Sequence, residues 1–305
     1  MTTRMAYWWK QWLGAFAIAS FCSIAAVPVH AQDAASLRAR QAALKDQLAN
    51  NQFQRPLYLE SEQTSGDLKG DVYALLDQPY AVVGQALQGM DHWCDVLILH
   101  LNVKHCRAAS TGGNDVLSLS VGRKFDQPLS DAYLVDFAYK VLAATPEFLR
   151  VSLSADKGPM GTSNYRIVLE AIPLDAKHSF IHMSYSYAYG VAARLAMQGY
   201  LATIGSDKVG FSIVEKKPDG KPVYVGGVRG VVERNTMRYY LAIESYVNAF
   251  TLPASEQAQK RLESWHDGVE RYPVQLHELE RAEYMDMKHK EIARQQASAK
   301  APAAK

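Results

Sequence analysis

From residue 96 to residue 189 the chain alternates apolar and polar positions in one segment after another, and at 229–250 it turns to a single long apolar helix. Side chains of a strand point alternately to opposite faces, so this pattern predicts strands with one dry face and one wet face. Strands joined by short loops predict one antiparallel sheet. Residues 96–105 place Leu97, Leu99, Leu101 and Val103 on one face and Ile98, His100, Asn102 and Lys104 on the other. Residues 116–122 turn Leu117, Leu119 and Val121 inward, and 133–141 align Tyr133, Val135, Phe137, Tyr139 and Val141. Residues 148–154 align Leu149, Val151 and Leu153. Residues 164–172 set Tyr165, Ile167, Leu169 and Ala171 against Arg166 and Glu170. Residues 179–189 set Ile181, Met183, Tyr185, Tyr187 and Tyr189 against His182, Ser184 and Ser186.

Other elements surround this run. Residues 34–49 have helical spacing, 72–76 read as a strand, and Pro79 stands where a helix over 79–89 would begin. A helical stretch at 190–203 precedes two short strands, near 209–216 and 222–226, around the turn Pro218-Asp219-Gly220. After Pro253 the composition changes. Residues 255–297 are highly charged, with Leu262, Trp265, Val269, Leu276 and Leu279 at three-and-four spacing, which predicts an amphipathic helical arm interrupted at Pro273. The expected organisation is a leader at 1–31, helical residues 32–55, the main domain at 56–250, the arm at 251–298 and an unstructured tail at 299–305.

The leader reads as an export signal. Arg4 and Lys10 precede an apolar run over 12–27, Pro28 breaks it, and Val29-His30-Ala31 offers a cleavage site. The run is short of the roughly 20 residues a membrane span needs. Cleavage after Ala31 would remove two of the 33 basic residues and none of the 31 acidic ones, leaving 31 against 31. A neutral chain has no electrostatic footprint for nucleic acid. Cys94 and Cys106 would be the remaining cysteines, and in an oxidising compartment they are expected to form a disulfide. A zinc site with His92 and His105 is the sharper alternative; adjacent His105 and Cys106 would point to opposite faces of a strand, which disfavours it. The chain has no Asn-X-Ser/Thr acceptor, and the bacterial periplasm is the expected location.

The order strand, helix, helix, antiparallel strands, long helix resembles the START-like, or SRPBCC, superfamily. The stretches that carry the resemblance are GDVYALLDQPYAVV from Gly70, His92-Trp93-Cys94, Gly161 through Leu169, and Gly226 to Phe250. They cover roughly residues 56–250. GDVYALLD, WCDVLILHLNVKHC and GGVRGVVERNTMRYYLAIESY are similar to a group of exported proteobacterial proteins. The resemblance implies an α+β helix-grip fold, a curved antiparallel sheet closing on the last long helix, with an apolar ligand or lipid held between them. It also admits an enzyme of the cyclase kind on the same scaffold.

On that expectation the ligand-facing strand residues are Leu99, Leu101, Leu119, Phe137 and Tyr139, then Tyr165, Ile167, Met183, Tyr185 and Tyr187. Met237 and Leu241 would face them from the helix. These same residues would equally fill an ordinary core. The sequence offers no catalytic acid–base pair, no metal site and no cofactor motif: Gly226-Gly227-Val228-Arg229-Gly230 departs from GxGxxG and no second strand follows it. His100 and His182 read as surface residues, and Arg229 with Glu233 as a surface pair one helical turn apart, the less favoured alternative being that Glu233 and Arg234 face a polar pocket mouth. The arm is either a partner surface, for self-association or an envelope partner, or a solvated helix resting on its own domain.

Overall fold

The computed structural model describes residues 29–202 and 207–300. Residues 1–28, most of the expected export signal, lie outside it. The chain begins with helices α1 (Val29–Ala43) and α2 (Lys45–Ala49), then strands β1 (Leu57–Gln63) and β2 (Asp67–Leu76). Helices α3 (Tyr80–Leu87) and α4 (Met90–Leu97) carry it to the far edge of the sheet. There β3 (Val103–Thr111), β4 (Asn114–Val121), β5 (Tyr133–Ala144), β6 (Leu149–Lys157), β7 (Thr162–Pro173) and β8 (Ser179–Tyr189) return strand by strand. Helix α5 (Val191–Ala202) and the small hairpin β9 (Ile213–Lys216) and β10 (Pro222–Tyr224) lead to α6 (Gly227–Ala249), α7 (Ala254–Glu270), α8 (Pro273–Leu276) and α9 (Arg281–Lys300).

The eight long strands form one sheet in the order β1-β2-β8-β7-β6-β5-β4-β3. Every neighbouring pair is antiparallel. The register pairs Val72 with Met183 and Leu169 with Met183, so the apolar positions of β2, β8 and β7 share one face. That face receives α6, which is buried nearly all round: Val232, Met237, Tyr240 and Leu241 are at most 1% exposed. The closest approach is at Gly70 of β2, where a Cβ would fall 2.2 Å from Thr236 Oγ1 of α6. A glycine is needed there for helix and sheet to meet. This is the helix-grip architecture that the sequence resemblance implied.

The opposite face is covered near the start of the chain. Leu37 of α1, Leu44 between the two helices and Leu48 of α2 form a second, smaller core with Tyr73, Phe148, Ile172 and Phe180. The helices after residue 253 fold back onto the domain, with Leu262, Trp265, Val269, Leu276 and Tyr284 in the main core. The charges of this segment are not all solvated. Lys288 and Glu291 are at most 1% exposed. The Lys288 ammonium donates to the carbonyls of His100 (2.8 Å) and Val103 (2.9 Å) and to Glu291 (2.7 Å), while Lys104 reaches Glu291 at 3.1 Å. Buried charges persist when they are paired and hydrogen-bonded, and this group ties α9 to β3.

The strand expected over 96–105 is not there. Its first residues end α4, the chain turns through 98–102, and β3 starts at Val103. Both sets of side chains are buried, Ile98, His100 and Lys104 as fully as Leu99 and Leu101. Period-two spacing had therefore separated two faces that are both dry. His100 and Lys104 are corrected from wet-face residues to buried ones.

The turn matters for the cysteines. Cys94 on α4 and Cys106 on β3 form a disulfide with Cα atoms 5.2 Å apart. It closes the helix-to-strand corner across a separation of 12 residues. Replacing both cysteines by serine is expected to lower unfolding free energy by about 3 kcal/mol through loop-closure entropy. Urea unfolding followed by circular dichroism would measure it, and an unchanged midpoint would show that the corner holds without the bond.

Candidate functional site

Strand β8 ends where α5 begins, and α6 starts above the same end of the sheet. Helix α5 and the β9–β10 hairpin lie between β8 and α6 in the chain. A cavity of about 410 Å³ remains. Alternation on β7 and β8 turns Tyr165, Tyr185 and Tyr187 into it, α6 contributes Val228 and Val231, and α5 contributes Ala193 and Met197. It reaches the surface beside Met160, which is 59% exposed. A mostly apolar wall with a few polar groups is the usual make-up of a small-molecule site.

The tyrosines form a connected aromatic wall. The rings of Tyr165 and Tyr187 stack at 5.2 Å, Tyr185 lies 5.5 Å from Tyr187, and Tyr239 of α6 lies 5.1 Å from Tyr185. The Tyr165 hydroxyl donates to Thr162 Oγ1 at 2.8 Å. Among the described residues, no hydrogen bond engages the hydroxyls of Tyr185 and Tyr187. Burial, and then neighbouring tyrosines, push both phenols above their ordinary range, so they remain neutral donors.

The polar part of the wall comes from three separate places in the chain. Asn102 lies in the turn before β3, Lys124 follows β4, and Arg234, Asn235 and Arg238 are on α6. Lys124 and Arg238 converge on Glu278: both reach Oε1, Arg238 at 2.9 Å, and Lys208 approaches the same carboxylate at 3.7 Å. Arg234, 2% exposed, donates to the carbonyl of Val209 at 3.1 Å. Behind this wall His100 stacks on Tyr239 at 4.6 Å and accepts the Asn102 N–H at its Nδ1. Burial, followed by Arg238 and Lys288, holds His100 well below its ordinary pKa, so it is neutral.

Three of the twelve residues expected to face a ligand, Tyr165, Tyr185 and Tyr187, line the cavity. Leu99, Leu101, Leu119, Phe137, Tyr139 and Ile167 lie in the packed core instead, as do Met183, Met237 and Leu241. Residues of α3, α4 and α6, among them Val83, Leu87, Trp93, Val232 and Tyr240, share that core with them. The Tyr139 hydroxyl, for instance, donates to the carbonyl of Gln88 at 2.6 Å, beside the end of α3. Of the basic wall, the sequence reading offered Arg234, with Glu233, as the less favoured alternative at a polar pocket mouth; it did not single out Lys124 or Arg238. Arg229 and Glu233 are also not a surface pair: Glu233 is fully buried, 3.9 Å from Arg229, and holds the loop before β9. The described residues contain no cluster of His, Cys, Asp and Glu arranged to hold a metal.

On the opposite face, His182 is also corrected from a surface role. It sits between Asp71 (2.8 Å from Nε2) and Glu170 (2.8 Å from Nδ1), with its ring stacked on Tyr73 at 4.4 Å. Burial works against the imidazolium, but hydrogen bonds to the two carboxylates outweigh it, and the pKa is raised. A raised histidine stabilises fully below its unfolded pKa of about 6.5, and that contribution is lost as pH rises through the folded value. Asp71 is lowered, despite burial, by its bonds to His182 and Lys69, so its contribution fades as the solution becomes strongly acidic. The melting temperature of wild type minus that of His182→Gln is therefore expected to be largest near pH 5–6 and to shrink above pH 7, measured by calorimetry across that range. A gap independent of pH would mean the carboxylates do not hold the proton.

No protein-family model matches this sequence, and no curated protein matches it either. Solved structures similar to it include a norcoclaurine synthase point mutant from Thalictrum flavum, in complex with a transition state analogue: 13% identity over 47% of this chain and 93% of that one, TM-score 0.33. An aromatase/cyclase from Streptomyces sp. R1128 is 9% identical over 63% of this chain and 91% of its own, TM-score 0.33. Human StAR-related lipid transfer protein 5 is 9% identical over 73% of this chain and 98% of its own, TM-score 0.36. At such identities a likeness does not transfer an activity, and what the cavity holds has to be read from this chain's own residues.

Proposed function

We propose that the protein binds or carries a hydrophobic small molecule, lipids included, in the cavity between the sheet and α6, and that it does so in the periplasm. The observation that carries this reading is the cavity itself: about 410 Å³, walled by Tyr165, Tyr185 and Tyr187 on one side and Val228 and Val231 on the other. That volume lies in the range of small-molecule sites, roughly 300–1,000 Å³. Leaving such space open forfeits packing contacts that a filled core would gain, which favours a function for it. The export pattern at 1–31 supports the location. Among the described residues no helix is long and apolar enough to cross a membrane.

Native mass spectrometry of the mature protein, followed by solvent extraction, tests the reading. The expected result is a discrete mass excess that transfers to the organic phase. Replacing Val231 with tryptophan should fill the cavity and abolish that excess while the fold persists by circular dichroism. A protein of bare mass that takes up no added apolar dye would overturn the proposal.

A further inference from the structure

The polar side chains on the cavity wall fall into two kinds. Most are engaged by the protein itself. Asn102 donates to the carbonyl of Gly122 at 2.7 Å. The Tyr165 hydroxyl donates to Thr162 Oγ1, which donates in turn to the carbonyl of Pro159. Tyr189 donates to the carbonyl of Thr64 at 3.1 Å. Lys124 and Arg238 meet Glu278, Arg234 meets the carbonyl of Val209, and all three have further interactions besides. The charged side chains of the wall therefore belong to the protein's own network.

The neutral groups of Tyr185, Tyr187 and Asn235 are different. All three residues line the same cavity, and among the described residues no hydrogen bond engages their side chains. Tyr185 and Tyr187 are two apart on β8 and so share a face, and each is 5% exposed. A buried phenol ordinarily finds a partner. Among the described residues, the sealed polar atoms without a partner include His100 Nε2 but neither phenol oxygen. The open surface these oxygens keep lies toward the cavity that both rings line. Burial, before any neighbouring group, raises both phenols above their ordinary pKa, so each is a neutral O–H able to donate. On α6, Asn235 stands one turn beyond Val231, at the border of the apolar wall.

We infer that polar recognition in this cavity is neutral: the ligand is an uncharged, largely apolar molecule bearing a carbonyl oxygen, which accepts a hydrogen bond from the hydroxyl of Tyr185, of Tyr187 or of both. Asn235 offers a further neutral donor and acceptor from α6. Ketones and esters carry such an oxygen, and a plain hydrocarbon does not. This rests on the binding role proposed above and names the chemical class of ligand for the same cavity.

The dye N-phenyl-1-naphthylamine, 1-benzoylnaphthalene and 1-benzylnaphthalene share one skeleton. The last two differ only in the bridge, a carbonyl against a methylene. Displacement of the dye by each is measured on the mature protein and on Tyr185→Phe, Tyr187→Phe and the double variant. Phenylalanine keeps the ring in the wall and removes only the oxygen, and with no protein partner lost the melting temperature should not fall. At least one single variant is expected to weaken the ketone about three- to tenfold, the scale of one neutral hydrogen bond, and the hydrocarbon by less than about twofold. The double variant should weaken the ketone at least as much. A ketone affinity that no variant changes, or ketone and hydrocarbon weakened alike, would overturn the acceptor-binding site and leave an apolar carrier, as would a bound dye that the ketone does not displace. Failure of the dye and both compounds to bind the wild type would overturn the carrier itself.

Discussion

Replacing Trp265 with alanine is expected to lower the unfolding free energy by about 3–5 kcal/mol, the usual loss for truncating a fully buried tryptophan. The sequence shows Trp265 on one stripe of a highly charged segment, which could have been an independent arm. In the structure it is 1% exposed, its ring stacks on Tyr284 of α9 at 4.8 Å, and its indole N–H donates to the carbonyl of Arg238 at 3.1 Å. That carbonyl belongs to α6, the helix the sheet grips. Truncation would open a void between α6, α7 and α9 and remove the donor for an internal carbonyl. Lys260→Ala, on the exposed side of α7, should change stability by no more than about 0.5 kcal/mol. Urea unfolding of the two variants gives the comparison. If Trp265→Ala also cost less than about 1 kcal/mol, α7 and α9 would be a detachable appendage, and residues 251–298 would regain the standing of a separate arm.

The strands were legible because one side of the sheet is dry and the other mostly is not. From 133 to 189 the inward residues alternate with Asp136, Lys140, Arg150 and Arg166, and that contrast is what period-two reading detects. It failed at 96–105, where Ile98, His100 and Lys104 are as buried as the leucines between them. It also failed at β1, Leu57–Gln63, where only Leu57 and Leu59 precede a run of polar residues. The three cavity tyrosines were legible as inward residues, but their distinction from the other inward residues was not. That depends on where α5 departs from β8, a matter of loop path rather than periodicity. The basic wall had a fainter signal. Helix α6 carries Glu233, Arg234 and Arg238 among Val232, Met237, Tyr240 and Leu241, leaving little room for a solvated face. Charges on a helix buried all round must meet partners or line a space. Which of the two applies depends on Asn102, Lys124 and Glu278, far away in sequence, and only the fold brings them together.

Glu233→Ala is expected to be the other severe variant, at about 3–5 kcal/mol, and comparison with Glu233→Gln shows why. The carboxylate is fully buried. One oxygen accepts the backbone N–H groups of Phe211 and Ser212, the latter at 2.8 Å, and the other accepts the hydroxyls of Ser61 and Ser212, the latter at 2.6 Å. Alanine would leave all four donors without that acceptor in a region with no room for compensation: a Cβ added at Gly210 would meet Glu233 Oε2 and the Cα of Gly230 within 3.0 Å. Glutamine can keep its carbonyl oxygen on the two backbone N–H groups, which cannot reverse their role. Its NH2 then faces Ser61 and Ser212, whose hydroxyls can rotate to accept. What glutamine loses is charge, which roughly doubles the strength of such bonds, and the attraction of Arg229 at 3.9 Å. Its expected cost is therefore about 1–2 kcal/mol. The same loop sets Phe211 against Phe53 at 5.6 Å and Tyr272 at 5.5 Å. Alanine should consequently raise protease susceptibility around residue 211 before global unfolding, while glutamine should not. If glutamine proved as damaging as alanine, the negative charge of Glu233, rather than its ability to accept hydrogen bonds, would be what holds this loop to α6.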